Sequence, residues 1–141
     1  MEIKVDGLEE TFALLKDAPR NLVARGFRRG LQAAGNVIGA ELAKRTPQRE
    51  GKLIRSIKTD ITLDSQFRGG EVDINFGAQG YKAAWVEYGH RMVGHKPGKK
   101  LLGEVAPHPF MRPAANAAGG AAVDAFETEL EQTIREEYGN G

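Results

Sequence analysis

Residues 27–42 read FRRGLQAAGNVIGAEL, and their spacing decides how the rest of the chain is arranged. Phe27, Leu31, Ala34, Ile38 and Leu42 recur every three or four positions. That interval lines one face of an α-helix, whose turn takes about 3.6 residues. Pro19 predicts the start of this helix, as its first residue, where a missing N–H costs nothing. Lys44 and Arg45 fall in the last turn, where the negative end of the helix dipole favours cations, and Pro47 stops it. Gly26, Gly30, Gly35 and Gly39 lie inside the helix, each costing up to about 1 kcal/mol relative to alanine. Glycine retained at that cost predicts close approach of another backbone, from the same fold or from a neighbouring subunit.

Working outward, Leu8, Phe12 and Leu15 predict a shorter amphipathic helix over residues 7–17. On the other side the period changes from helical to two. A polar stretch over residues 48–52 with Gly51 reads as a loop. Ile57, Thr59, Ile61 and Leu63 then alternate with polar side chains, as do Val72, Ile74 and Phe76. These are two half-buried strands, antiparallel and joined through residues 64–70. Tyr81, Trp85 and Tyr88 return to helical spacing and predict a short helix ending at Gly89, with the aromatic rings sealing the sheet against the helices. Residues 89–107 mix glycine, proline, lysine and short apolar fragments without a period, and read as a long mobile loop. Loops of that length are usually functional or disordered. Pro109 and Pro113 fix the backbone on both sides of Phe110. The last helix follows, with a stripe of Val123, Phe126, Leu130, Ile134 and Tyr138 and a kink or delayed start at Gly119–Gly120.

The order of elements predicts a single α+β domain over residues 1–141: a small antiparallel sheet with helices on one face. A chain of 141 residues buries enough surface to carry one ordinary core without a disulfide or metal staple. It has no cysteine, which excludes a disulfide framework, a zinc–thiolate site and a cysteine nucleophile. No apolar run approaches the roughly 20 residues of a membrane span. Residues 1–16 are acidic and amphipathic rather than signal-like, which predicts residence in the cytosol.

The net charge of +1 does not suit a protein whose main work is gripping nucleic acid, but its distribution is uneven. Arg20, Arg25, Arg28, Arg29, Lys44 and Arg45 face only Glu41 between residues 19 and 46. Arg91, Lys96, Lys99 and Lys100 face no acid between residues 89 and 100, whereas Asp124, Glu127, Glu129, Glu131, Glu136 and Glu137 outweigh Arg135 at the end of the chain. Basic and acidic regions of similar size predict attraction between copies, with the basic surface of one on the acidic last helix of the next.

Catalytic patterns are missing. His90, His95 and His108 have no metal-ligand spacing and no ordered set of carboxylates beside them. No glycine-rich loop opens a helix to hold phosphate, and neither Ser56 nor Ser65 sits in a nucleophile elbow. No cofactor is expected. The segment containing Arg91, His95, Lys96, Lys99, Lys100, Leu101 and Leu102 therefore reads as an assembly loop that orders on a protein partner. The alternative is a DNA-binding module made of this loop and the long helix, contacting phosphates. The loop lacks the aromatic residues that stack bases.

Three blocks carry a resemblance. TPQREGKLIRSI at residues 46–57 resembles the pattern T-P-x-x-x-G-x-L-x-x-S-I, with Thr46, Pro47, Gly51, Leu53, Ser56 and Ile57 matching. WVEYG at residues 85–89 resembles an aromatic-x-E-aromatic-G block through Trp85, Glu87, Tyr88 and Gly89. PHPFMRPA at residues 107–114 resembles P-x-P-F-[ML]-R-P-A through Pro107, Pro109, Phe110, Arg112 and Pro113. Together, and in this order, they resemble the neck and tail-completion proteins of tailed bacteriophages, typified by gene product ten of phage HK ninety-seven. Glu50 departs from the pattern, which more often has a small residue or threonine there. The resemblance implies a non-enzymatic virion protein that forms a ring at the head–tail junction and assembles in host cytoplasm. It implies partners in a head-closure or connector protein and a tail-tube or tail-terminator protein, with genome DNA passing through the channel and no membrane. In the residues themselves, Pro47 and Gly51 would let Leu53 and Ile57 enter the sheet, and Glu87 would pair with Arg112.

Overall fold

Pro19 and Pro47 bracket the long helix as their chemistry requires. In the computed structural model, which describes residues 2–4, 18–47, 51–64, 69–94 and 100–138, helix α1 spans Arg20–Arg45. Pro19 stands just outside it, its carbonyl accepting from the backbone N–H of Leu22 and Val23 at 3.0 and 3.1 Å. At the other end Thr46 is extended, the conformation a following proline imposes. Its hydroxyl donates to the Leu42 carbonyl at 2.7 Å.

The segment after Pro47 departs from the loop reading. Gly51–Arg55 forms a short helix, α2, and residues 48–50 lie outside the described residues. Leu53 is fully buried and enters the core from this helix rather than from the sheet. Ser56 ends the turn, its hydroxyl donating to the Leu53 carbonyl at 2.7 Å.

The alternating segments form strands β2 (Lys58–Leu63) and β3 (Gly70–Asn75). They pair antiparallel, and Thr59 faces Ile74 while Ile61 faces Val72 on the inner side. A third strand, β1 (Glu2–Lys4), pairs with β3 and makes the order β1-β3-β2. Three residues are too few for a period, so β1 left no readable signal. The helix expected at residues 7–17 lies outside the described residues. On the outer side Asp60 opposes Asp73, a like-charge pairing that destabilises a sheet. Asn75 relieves it by donating to both carboxylates, at 2.9 and 2.8 Å.

After a 3₁₀ turn come helix α3 (Gly80–Tyr88), strands β4 (His90–Val93) and β5 (Leu101–Val105), and helix α4 (Met111–Tyr138). Helix α4 runs unbroken through Gly119–Gly120, contrary to the expected kink. Its buried row is Ala114, Ala118, Ala122, Phe126 and Leu130, while Val123 faces outward at 46% exposed. Small alanines won this face because α4 packs closely on α1. The glycines show the same proximity: a Cβ on Gly30 would stand 2.7 Å from the Phe126 ring, and one on Gly26 would stand 2.8 Å from Leu130. These α1 glycines therefore serve a contact inside the fold. The rings of Phe27 and Phe126 meet edge-on, with centroids 5.5 Å apart. The helices run antiparallel, so the basic start of α1 meets the acidic end of α4 within one chain. Arg25 pairs with Glu137, and Arg29 reaches Glu129 and Glu136 at 3.4 and 3.1 Å. Arg25 and Arg29 are thus met within their own chain. All these groups are partly exposed, so solvent screens each pair and its contribution is small.

Candidate assembly surface

Helix α3 has two faces with different fates. Ala83 and Glu87, four residues apart, point inward and are buried, while Tyr81, Trp85 and Tyr88 point to solvent. Trp85 is 49% and Tyr88 66% exposed. The expected aromatic seal is therefore wrong. Helical spacing marks a face without saying which way it turns, and here the inward direction is claimed by a carboxylate.

Glu87 is 1% exposed and caps a helix far along the chain. Its Oε2 accepts from the backbone N–H of Phe110 and Met111 at 2.7 and 2.9 Å. Its Oε1 accepts from the N–H and the Nε of Arg112 at 3.3 and 3.4 Å. A carboxylate there satisfies donors that the first turn of α4 cannot pair internally, and it meets the positive end of the helix dipole. Burial pushes its carboxyl up, but the three backbone donors and the Arg112 side chain together outweigh that and hold it below its ordinary value of 4.5. The expected pairing with Arg112 is present, and the guanidinium also lies 5.4 Å over the Tyr88 ring. The second and third sequence blocks thus meet at one point. His108 adds a backbone bond to the Val86 carbonyl at 2.8 Å, and Phe110 packs edge-on against Phe76.

From this locked base a hairpin leaves the body. Gly89 adopts φ +75°, and a Cβ there would lie 2.5 Å from the Val105 carbonyl, so only glycine allows the departure. Strands β4 and β5 pair antiparallel from His90↔Val105 to Val93↔Leu101, with a register shift after Met92. Residues 90–105, read as a loop without regular structure, are therefore largely a two-stranded hairpin. The one-residue shift is what hid the alternation. His95, Lys96 and Lys99 lie outside the described residues; Arg91 and Lys100 are exposed. So are Met92, Val93, Leu101 and Leu102, the last at 65%. The His90 ring stacks on Trp85 at 5.2 Å, and Tyr81 meets Trp85 edge-on at 5.1 Å. These contacts tie the foot of the hairpin to the outer face of α3, and Arg91 pairs with Glu104 across the two strands at 3.8 Å.

The first block does different work. Thr46, Leu53 and Ile57 pack at or against the core, and Pro47, Gly51 and Ser56 shape the turn between α1 and β2. Among the described residues no group of three or more histidines and carboxylates could hold a metal, and no helix is long and apolar enough to cross a membrane.

A model of the family described as "Bacteriophage HK97-gp10, putative tail-component" matches residues 12–89, from before α1 to the glycine where the hairpin departs. Comparison with curated proteins and with solved structures gives no match.

Proposed function

Because the chain belongs to the HK97-gp10-like family of bacteriophage tail components, we propose that it is a ring subunit at the head–tail junction, docking through the outer face of α3 and the β4–β5 hairpin. A tail component is a structural protein of the virion. The finer reading is that copies assemble in the host cytoplasm into a ring around the DNA channel. A head-closure or connector protein then lies on one side and a tail-tube or tail-terminator protein on the other. One observation carries this: Trp85, Tyr88, Leu101 and Leu102 stand exposed beside a core that is otherwise closed. A contiguous apolar patch with a polar rim marks a protein interaction site. Glu87 and Gly89 give that patch a rigid base, so docking need order only the arm. Apolar strands suit a protein partner better than DNA, whose phosphates would be met by Arg91 and Lys100 alone among the described hairpin residues.

The experiment is incorporation. A Trp85→Ser, Leu102→Ser double variant should fold normally, shown by an unchanged unfolding midpoint, yet fail to enter assembled tails. Normal incorporation would overturn the reading. Tight, salt-sensitive binding of the purified chain to duplex DNA would favour the hairpin and α1 as a DNA-binding module instead.

A further inference from the structure

Resting on the ring reading above, we infer that the hairpin of one copy docks on the outward face of α4 in a second copy, along the row Val123, Glu127 and Glu131. Two surfaces of one chain complement each other here without meeting. The hairpin offers exposed Met92, Val93, Leu101 and Leu102 with Arg91 and Lys100 beside them. Arg91 pairs with Glu104 across the hairpin at 3.8 Å, so Lys100 is the hairpin cation without an ion pair among the described residues. A two-stranded hairpin is marginally stable in water by itself, so this one gains order from whatever covers it.

The outward face of α4 is the reverse. Val123 is its exposed large apolar side chain among the described residues, with Asp124 beside it, Glu127 one turn on and Glu131 two turns on, the last paired with Arg135 at 3.7 Å. Glu129, Glu136 and Glu137 are engaged by Arg29 and Arg25, whereas Asp124 and Glu127 form no ion pair among the described residues. A shallow groove lined by Thr128, Glu131, Gln132, Arg135 and Glu136 continues the row. Apolar therefore meets apolar, and Lys100 meets Asp124 and Glu127, which steers encounter and sets register.

Distance rules out self-docking at the foot of the hairpin. Glu127 stands sixteen residues beyond Met111, about 24 Å along the helix axis. Two different surfaces of a subunit make a head-to-tail contact, and such contacts close into rings when the rotation permits.

The chain has no cysteine, so cross-linking is clean. Leu102→Cys and Val123→Cys are made separately, both at exposed positions, then mixed and oxidised at rising concentration of purified protein. The expected major product is the mixed disulfide, its yield falling with salt. Lys100→Glu or Glu127→Lys, added to the respective cysteine variant, should each lower that yield at least about tenfold, and the two together should restore it. A Leu102→Cys homodimer as the main product would show a hairpin-to-hairpin contact and overturn the inference. So would no cross-link at any concentration. Either result leaves the tail role standing if the Trp85→Ser, Leu102→Ser variant still fails to incorporate. Conversely, the mixed disulfide together with normal incorporation of that variant would sink the proposed docking role and keep the self-contact.

Discussion

Phe126 and Trp85 are both large aromatics on helices with apolar periodicity, yet Phe126 is 0% exposed and Trp85 is 49% exposed. The first belongs to the α1–α4 pair, where it meets the Phe27 ring edge-on and fills the notch at Gly30. The second belongs to the α3–hairpin unit, where the inward face holds Glu87 and the outward face holds the aromatics. The contrast teaches that apolar residues in this chain serve two purposes. In the pair they hold the subunit together. On the hairpin side a buried carboxylate does the holding, and the apolar residues are left exposed.

The largest test of that contrast is Phe126→Ala. Emptying a packed core position typically costs about 3–5 kcal/mol, and urea unfolding should show a loss of that size. A loss under about 1 kcal/mol would mean the helix pair is not the sealed region described. Next is Glu87→Gln, which keeps the shape but removes the charge from the α4 cap and should cost about 1–3 kcal/mol. Its pH dependence has a definite sign. The folded carboxyl titrates below its ordinary value of 4.5, so its stabilisation is present above the unfolded value and is lost as pH falls through the folded one. Wild type should therefore lose stability on acidification below about pH 4.5 more steeply than Glu87→Gln, measured by unfolding midpoints across pH. Parallel curves would show that the cap contributes nothing through its charge.

Two glycine substitutions sharpen the comparison within the helix pair. Gly30→Ala pushes a methyl group against the Phe126 ring and to 3.0 Å from its backbone oxygen, and overpacking of that kind costs about 1–3 kcal/mol. Gly120→Ala meets nothing within 4 Å and should raise stability by about 0.5–1 kcal/mol through the unfolded state. Equal effects in thermal melts would contradict the close seam at Gly30. The smallest expected change is Trp85→Ser alone, within about 0.5 kcal/mol because the ring is half in water. A larger loss would place Trp85 in the structural region after all.

Much of the fold was legible in the residues. The stripe from Phe27 to Leu42, the alternation at Ile57–Leu63 and Val72–Phe76, and the bracketing prolines each fixed an element through local geometry. The Glu87–Arg112 pairing was also foreseen. The hairpin was missed because a bulge breaks its period, and the orientation of α3 because periodicity has no sense of inside. The seam between α1 and α4 was visible only as glycines without a stated neighbour.

By itself, then, the amino-acid sequence determined the three longer helices, the two longer strands, the freedom from cysteine chemistry and the two blocks, at residues 46–57 and 85–89, that lie within the family match, since all of these depend on residues adjacent along the chain. Only the tertiary structure decided that Glu87 closes the first turn of α4, that Arg25 and Arg29 neutralise acids of their own chain, and that the aromatic face of α3 joins the hairpin in the open. The first two outcomes depend on which groups meet across more than twenty residues of separation. There, a buried carboxylate must find donors, and that need outranks the burial of a tryptophan.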